Sequence, residues 1–326
     1  MTIYMWTDCV PKFVTLPSPS LTQHVVKMHI FRAFFVLMSR NCDIFRHTLF
    51  CHCDTLLEKD KHKQEKIVRL STVIITANTE IHSGVHLLEV HAPQLAQAAQ
   101  PGQFCMVRCC DTLATDPLLR RPFFIHSVQR RQGLCTLLVH VRGRGTAWLV
   151  KQQEGALLDI LGPLGHGWIV RPVVRNLLLI GEEEYIAALT FLAQSAIEQE
   201  LAVTIIQHSK NAVGIYPPAL LPAEAEYQVI TSDGSVGLQG DLTGQVSKLG
   251  NYLDWADAAY CSVSHETALA LYSAHERLRL RHFAQAAVLR PLVCGNGACL
   301  TCQLDTHAGS KLVCRDGPVF ELRDIM

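Results

Sequence analysis

The chain has 326 residues, enough for two or three domains that each bury a core. Hydrophobic residues make up 49% of it and charged residues 18%, a globular composition that excludes a disordered chain. Lys plus Arg and Asp plus Glu each total 29, so the absence of net charge argues against nucleic acid or an anionic membrane as partner.

Residues 1–65 differ from the rest and read as an N-terminal extension, either disordered or upstream of a true start at Met28. The apolar run IFRAFFVLM at 30–38 is too short for a membrane span and is broken by Arg32, and no cleavage site of small residues follows it. His47, Cys51, His52 and Cys53 could form a metal site, but no second ligand pair follows at finger-like spacing.

From Ile67 the pattern changes to short segments rich in Val, Ile, Leu and Thr, such as VHLLEVHAP, LCTLLVHVRG and LLDILGP. Punctuated by Gly, Pro and Asp, they predict a small antiparallel barrel over 66–172. Within it, Arg121 at a strand end can offer its planar guanidinium to a diphosphate. Gly143, Gly145 and Thr146 supply a tight turn whose N–H groups and hydroxyl can face phosphate. Taken together these residues suggest a dinucleotide such as FAD, although Gly-x-Gly-Thr alone is more often only a turn. Cys109 and Cys110 read as strand residues facing opposite ways, Trp148 and Trp168 as barrel core, and His166 as a loop residue near the flavin.

Residues 173–284 read as an α/β domain. NLLLI is a buried strand, EEEYIAALTFLAQSAIEQE a helix and LAVTIIQ a second strand, one βαβ unit of a parallel sheet. A nucleotide-binding turn would carry several glycines, whereas Gly181 is followed by Glu182, Glu183 and Glu184. Carboxylates there suit the helix dipole but repel a diphosphate, which predicts weakened or absent NAD(H) binding.

The last segment, 285–326, contains CGNGACLTCQLDTHAGSKLVC. Cys294, Cys299 and Cys302 have C-x4-C-x2-C spacing with Cys314 beyond a hairpin-like stretch, the plant-type arrangement for a [2Fe–2S] cluster. Gly295 and Gly297 permit positive φ and close approach of backbone N–H groups to cluster sulfurs. A zinc knuckle or two disulfides are the alternatives, but zinc sites favour paired C-x2-C units. Disulfides favour secreted chains, whereas the other nine cysteines lack framework spacing and point to a reducing cytoplasm.

The order R-P-x-x-I, G-x-G-T, G-P-L-G-x-G, an α/β domain and then the four cysteines running into CRDGPVF at 314–320 resembles a known family over residues 66–326. It is that of the electron-transfer subunit of NAD-dependent-type bacterial dihydroorotate dehydrogenase, in the ferredoxin-reductase-like superfamily. The resemblance implies an antiparallel flavin-binding barrel, a parallel-sheet nucleotide-binding-like domain and a C-terminal [2Fe–2S] domain. It implies a relay between FMN in a catalytic partner subunit, the cluster, FAD, and NAD or another acceptor, in a hetero-oligomer serving pyrimidine biosynthesis. Carried over by position, Arg121 binds the FAD diphosphate while Pro122 and Phe123 shape the flavin pocket. The family's hydroxyl residue at the next position is Phe124 here, which puts flavin tuning in question and reads better as core. The family's Cys-Gly-Pro turn is Cys261, Ser262 and Val263, and its Ser-x-Glu segment is VLRPLV at 288–293, while its Asp-Gly-Ser-x-Gly turn survives at Asp233–Gly237. Two other readings stand beside this one. One is a flavin and iron–sulfur subunit of a sulfite reductase, hydrogenase or transhydrogenase; the other is a degenerate, non-enzymatic cluster carrier.

Overall fold

The structure is a computed structural model that describes residues 2–7, 10–15, 69–111, 113–279 and 282–326. Residues 1–67 and 68–326 form separate compact units. In the first, strands β1 (Thr2–Thr7) and β2 (Val10–Thr15) pair antiparallel with Thr2 opposite Thr15. The apolar run at 30–38, Met28, and the His47, Cys51, His52 and Cys53 group lie outside the described residues.

The second unit begins with six strands: β3 (Arg69–His82), β4 (Val85–His91), β5 (Phe104–Val107), β6 (Arg121–Gln129), β7 (Leu134–His140) and β8 (Leu157–Leu164). They close into an antiparallel barrel in the order β3-β4-β7-β6-β5-β8, so no strand edge is left open. Alternation sets the faces: along β8, Leu158, Ile160 and Leu164 are buried while Leu157 is exposed. Helix α1 (Pro93–Ala98) joins β4 to β5, and α2 (Arg144–Leu149) follows the glycine turn after β7.

Six parallel strands follow: β9 (Asn176–Glu182), β10 (Ala202–Ser209), β11 (Glu226–Thr231), β12 (Leu238–Gln239), β13 (Ala258–Ser262) and β14 (Ala284–Ala287). A hairpin of β15 (Gln303–Thr306) and β16 (Gly309–Leu312) leads to β17 (Val319–Glu321), which pairs antiparallel with β14. The sheet order is β12-β11-β10-β9-β13-β14-β17. The cysteine-bearing segment is thus an insertion between two neighbouring strands of the sheet, and the division expected at 284/285 falls inside β14. Nothing in the Ala-Gln-Ala-Ala of β14 has strand character by propensity; its burial against β13 makes it a strand.

The sequence predicts one helix over EEEYIAALTFLAQSAIEQE, but the chain forms a 3-10 turn at Glu183–Ala188 and only then α3 (Thr190–Ile197). Glu183 has φ of 48°, which no right-handed helix accommodates. A further helix, α4 (His265–Ala274), is capped by the Ser264 hydroxyl, which accepts the Thr267 N–H. Two other expectations are corrected and a third is refined. Cys109 and Cys110 lie beyond the end of β5 and are both buried. Trp168 belongs to the α/β core, edge-on to Tyr260, with its indole N–H donating to the Ala188 carbonyl at 2.8 Å. Trp148 packs against the barrel core as expected but is only half-buried, and it donates to Asp111.

Candidate functional site

The cysteine segment wraps onto barrel strand β5. Phe104, Met106 and Leu164 form one apolar cluster with Cys302, Leu312, Val313 and Cys314, and Cys294 packs against it. Gly295 and Gly297 adopt φ of 77° and 88°, the left-handed region that glycine enters at little cost. A Cβ on Gly295 would meet Met106 Cγ at 2.7 Å, so glycine is also required for the loop to lie this close to the barrel.

The four cysteines stand as two pairs. Cys302 and Cys314 Sγ are 3.3 Å apart, and Cys294 Sγ accepts the Cys299 backbone N–H at 3.5 Å. All four are free thiols, so no disulfide forms, and among the described residues no group of three or more His, Cys, Asp or Glu is gathered for a single metal ion. Burial pushes the Cys294 thiol up, but the N–H groups of Cys299, Asn296 and Gly297 outweigh it and bring it down to about 6. Cys314 is pushed up to about 12 by burial and by neighbouring Cys302. Two thiols in van der Waals contact repel once ionised, so the Cys302–Cys314 pair suits a bridging cation centre, and N–H groups aimed at sulfur suit thiolate ligands.

Beside this segment opens a cleft of about 640 Å³. Arg121, Pro122 and Phe123 of β6 line it, as do Gly143, Gly145 and Thr146 before and within α2. The six residues singled out for a flavin therefore share one cavity. Gly145 lies against Arg121: a Cβ there would meet Cys109 Cβ at 3.2 Å and Arg121 Nε at 3.5 Å. The turn differs in detail from expectation, because Thr146 Oγ1 accepts the N–H groups of Arg142 and Gly143 itself. Those two donors tighten the turn and are not presented to the cavity. One Arg121 Nη1 donates to the Leu119 carbonyl at 2.7 Å, which anchors the guanidinium at the cleft wall. Phe124, read as core, is half-buried; it packs on the cysteine cluster and also lines the cleft.

The remaining walls were not legible in the sequence. His140, Arg142, Glu184 and Tyr185 face the cleft, and Leu292 and Pro318, which flank the cysteine segment, close it. His140 is held down to about 4 by burial and by Arg142, so it is neutral near pH 7. Its Nε2 is buried and makes no hydrogen bond among the described residues. The only signal for these residues was their neighbourhood in sequence to the Gly-x-Gly-Thr turn and the cysteines. His166, expected in the loop near the flavin, joins the cysteine segment: its Nδ1 is 2.8 Å from the Arg315 carbonyl.

The cysteine segment and the fold both have counterparts among known proteins. The family model for the iron-sulfur cluster binding domain of dihydroorotate dehydrogenase B matches residues 290–326. The electron transfer subunit of dihydroorotate dehydrogenase B (NAD(+)) from Desulforamulus reducens is 30% identical over 256 residues, 77% of this chain and 94% of that protein. The corresponding subunit from Geobacillus thermodenitrificans is 31% identical over 237 residues, 71% of this chain and 89% of its own length. Among solved structures, NADH-dependent reduced ferredoxin-NADP oxidoreductase superposes with a TM-score of 0.67 at 22% identity, over 78% of this chain and 90% of that one. The ferredoxin reductase of carbazole 1,9a-dioxygenase superposes at 0.54 with 17% identity, over 63% and 64%. These structural likenesses show a ferredoxin-reductase-like fold.

Proposed function

The chain belongs to the family of dihydroorotate dehydrogenase B electron transfer subunits, and on that premise we propose that it relays electrons between a catalytic subunit's FMN, a [2Fe–2S] cluster and FAD of its own. The observation that carries this reading is a shared wall. The cleft lined by Arg121, Gly143, Gly145 and Thr146 is closed by Leu292, two residues before Cys294, and by Pro318, four after Cys314. A flavin in that cleft would sit across one layer of side chains from the cluster cysteines.

In this reading Cys294, Cys299, Cys302 and Cys314 ligate the cluster, two thiolates to each iron. Arg121 pairs with the FAD diphosphate through its free guanidinium edge, and Gly145 leaves room for that approach. Pro122, Phe123 and Phe124 offer an apolar wall to the flavin ring and keep water from it. When bound, the flavin couples two-electron to one-electron transfer, and the protein's own work is to hold the two groups close and set their surroundings. No side chain need donate or accept a proton from substrate on this chain, so it is one subunit of an oxidoreductase and works with a catalytic partner.

The partner's approach follows from exposure. Ala298, Cys299 and Leu300 are exposed at the tip of the cysteine loop, and Leu300, 60% exposed, takes φ of 58° to be there. The FMN-containing subunit docks over this tip as a hetero-oligomer. No helix among the described residues is long and apolar enough to cross a membrane, and the free cysteines fit a cytoplasmic setting. Anaerobic purification with the catalytic subunit tests the reading. One flavin and about two irons on this chain are expected, with both bleached by dihydroorotate only when the FMN subunit is present. Iron without flavin would favour the carrier reading instead.

A further inference from the structure

The strand order β12-β11-β10-β9-β13-β14 reverses direction at β9, which makes the crevice between the ends of β9 and β13 the topological switch point of the sheet. In doubly wound sheets the diphosphate of a dinucleotide lies there, on N–H groups at a helix N-terminus. In this chain the crevice is bridged from within. Glu182, the last residue of β9, accepts the Ser264 N–H at 2.7 Å and the Thr267 hydroxyl, both in the first turn of α4 beyond β13.

On the other side of β9 stands a second bridge. Glu183 holds φ of 48°, the left-handed conformation that a glycine in a phosphate turn would supply. Its carboxylate accepts the Lys210 N–H and the Ser209 hydroxyl, each at 3.0 Å, at the end of β10. Gly214 closes over it: a Cβ there would lie 2.7 Å from Glu183 Oε2 and 2.1 Å from Ser209 Oγ. The third carboxylate, Glu184, pairs with Arg142, so that guanidinium is already neutralised.

The donors at the ends of β10 and β13, the two neighbours of β9, are therefore satisfied by carboxylates of the chain itself. A diphosphate entering the crevice would have to displace them while facing their charge. We propose that Glu182 and Glu183 form an internal anion in the place of a dinucleotide diphosphate, so that the α/β domain of this chain binds neither NAD(H) nor NADP(H). The same bridges tie β9 to β10 and β13, which explains why the fold persists around a closed crevice. This inference stands on the α/β domain alone and does not rest on the relay reading; it departs from the NAD(+) in the names of the relatives.

The test is calorimetric titration of the purified full-length protein, with whatever cofactors it retains, using ADP-ribose and NAD(+), ligands of the α/β site that require no flavin chemistry. Wild type is expected to show no saturable binding. Glu183→Gly suits the existing backbone and Glu182→Gln keeps a hydrogen-bond acceptor, so the double variant should stay folded at reduced stability, checked by a parental circular dichroism spectrum and a cooperative thermal transition. It should show saturable one-to-one binding of ADP-ribose, about a hundredfold tighter than the weakest affinity the titration registers, the scale of removing held like charges. Saturable one-to-one binding by wild type would overturn the proposal, and so would a folded double variant that gains nothing. Failure of the relay reading would show up separately, as missing flavin or iron, and wild-type binding of ADP-ribose that Arg121→Ala abolishes would belong to an empty flavin cleft and not to the α/β crevice.

Discussion

The Nε2 of His126 lies 2.9 Å from the hydroxyl of Tyr216, and through this contact barrel strand β6 is joined to the loop that follows β10. The other ring nitrogen is 2.7 Å from Thr190 Oγ1 at the start of α3. His126 is thus pinned on both sides in a buried seam between the barrel and the α/β sheet. Burial holds it from 6.5 down to about 4. The group is neutral when folded and charges more readily when unfolded, so the unfolded state binds more protons between these values. Stability is then full above pH 6.5 and falls as pH drops toward 4, by about 3 kcal/mol from this residue. His140, lowered over the same range but more exposed, adds a smaller share. His126→Gln should lower stability at pH 7.5 by about 1–3 kcal/mol through the broken buried network and flatten the slope between pH 6.5 and 4. Urea midpoints of the two proteins at pH 7.5 and 5 measure both effects, and an unchanged slope would refute the assignment.

Each cluster cysteine should be individually necessary. Cys302→Ser and Cys314→Ser replace buried sulfurs 3.3 Å apart, and Cys299→Ser replaces an exposed one. All three are expected to lose most of the iron, about two atoms per chain in the parent. Because the barrel closes and the parallel sheet pairs through strands outside that loop, far-ultraviolet circular dichroism should stay near the parental spectrum. Cys135→Ala, in the barrel core, is the control: it should lower stability yet leave iron content unchanged.

Much of this was readable beforehand, for physical reasons that differ by element. The cysteines and the glycines between them declare themselves because ligand spacing and positive φ constrain residue identity directly. The barrel strands were legible because β8 alternates faces residue by residue. The helix after β9 was misread because the apolar spacing of Tyr185, Ile186 and Leu189 suits a helix, while the tertiary bonds of Glu182 and Glu183 hold the preceding backbone out of one. Leu292 and Pro318 could not be assigned to the cleft at all, since nothing local records that the cysteine segment folds back over the barrel. The bonds that Glu182 and Glu183 make could not be read locally, because their partners Ser264, Thr267, Ser209 and Lys210 lie far off in sequence.

The seam between barrel and cysteine segment should be sensitive to a single methyl group. Gly165 has φ of 73°, and a Cβ there would fall 2.4 Å from the Gly317 carbonyl oxygen and 2.7 Å from Pro318 Cδ. These are backbone and ring atoms that cannot swing aside. Gly165→Ala is expected to cost about 1–3 kcal/mol from backbone strain alone, with more from displacement of the backbone at Gly317 and Pro318. If the segment is pushed off the barrel, the cleft opens at Pro318, so flavin retention should fall together with thermal stability. Gly155→Ala provides the comparison: it also has a positive φ, but nothing lies within 4 Å of its added Cβ, so it should lose stability without losing flavin.

Arg121 separates charge from geometry in the cleft. Its Nη1 is held by the Leu119 carbonyl, and its Nε runs beside Gly145, so the guanidinium is oriented before any ligand arrives. A charge-assisted hydrogen bond to a diphosphate contributes about 1.5–3 kcal/mol, which corresponds to flavin binding weakened about ten- to a hundredfold in Arg121→Ala. Arg121→Lys keeps the charge but loses the planar fork and the anchor at Leu119, so it should fall between the two. Flavin fluorescence released on dilution reads these affinities directly. The cluster should be untouched, because Arg121 bonds to the carbonyls of Leu119 and Arg120 just before its own strand, and iron content reports that. Loss of flavin in Arg121→Ala with equal loss in Gly145→Ala would place both residues on the diphosphate. Full flavin retention in Arg121→Ala would mean that the cleft holds its ligand by the apolar wall of Pro122, Phe123 and Phe124 instead.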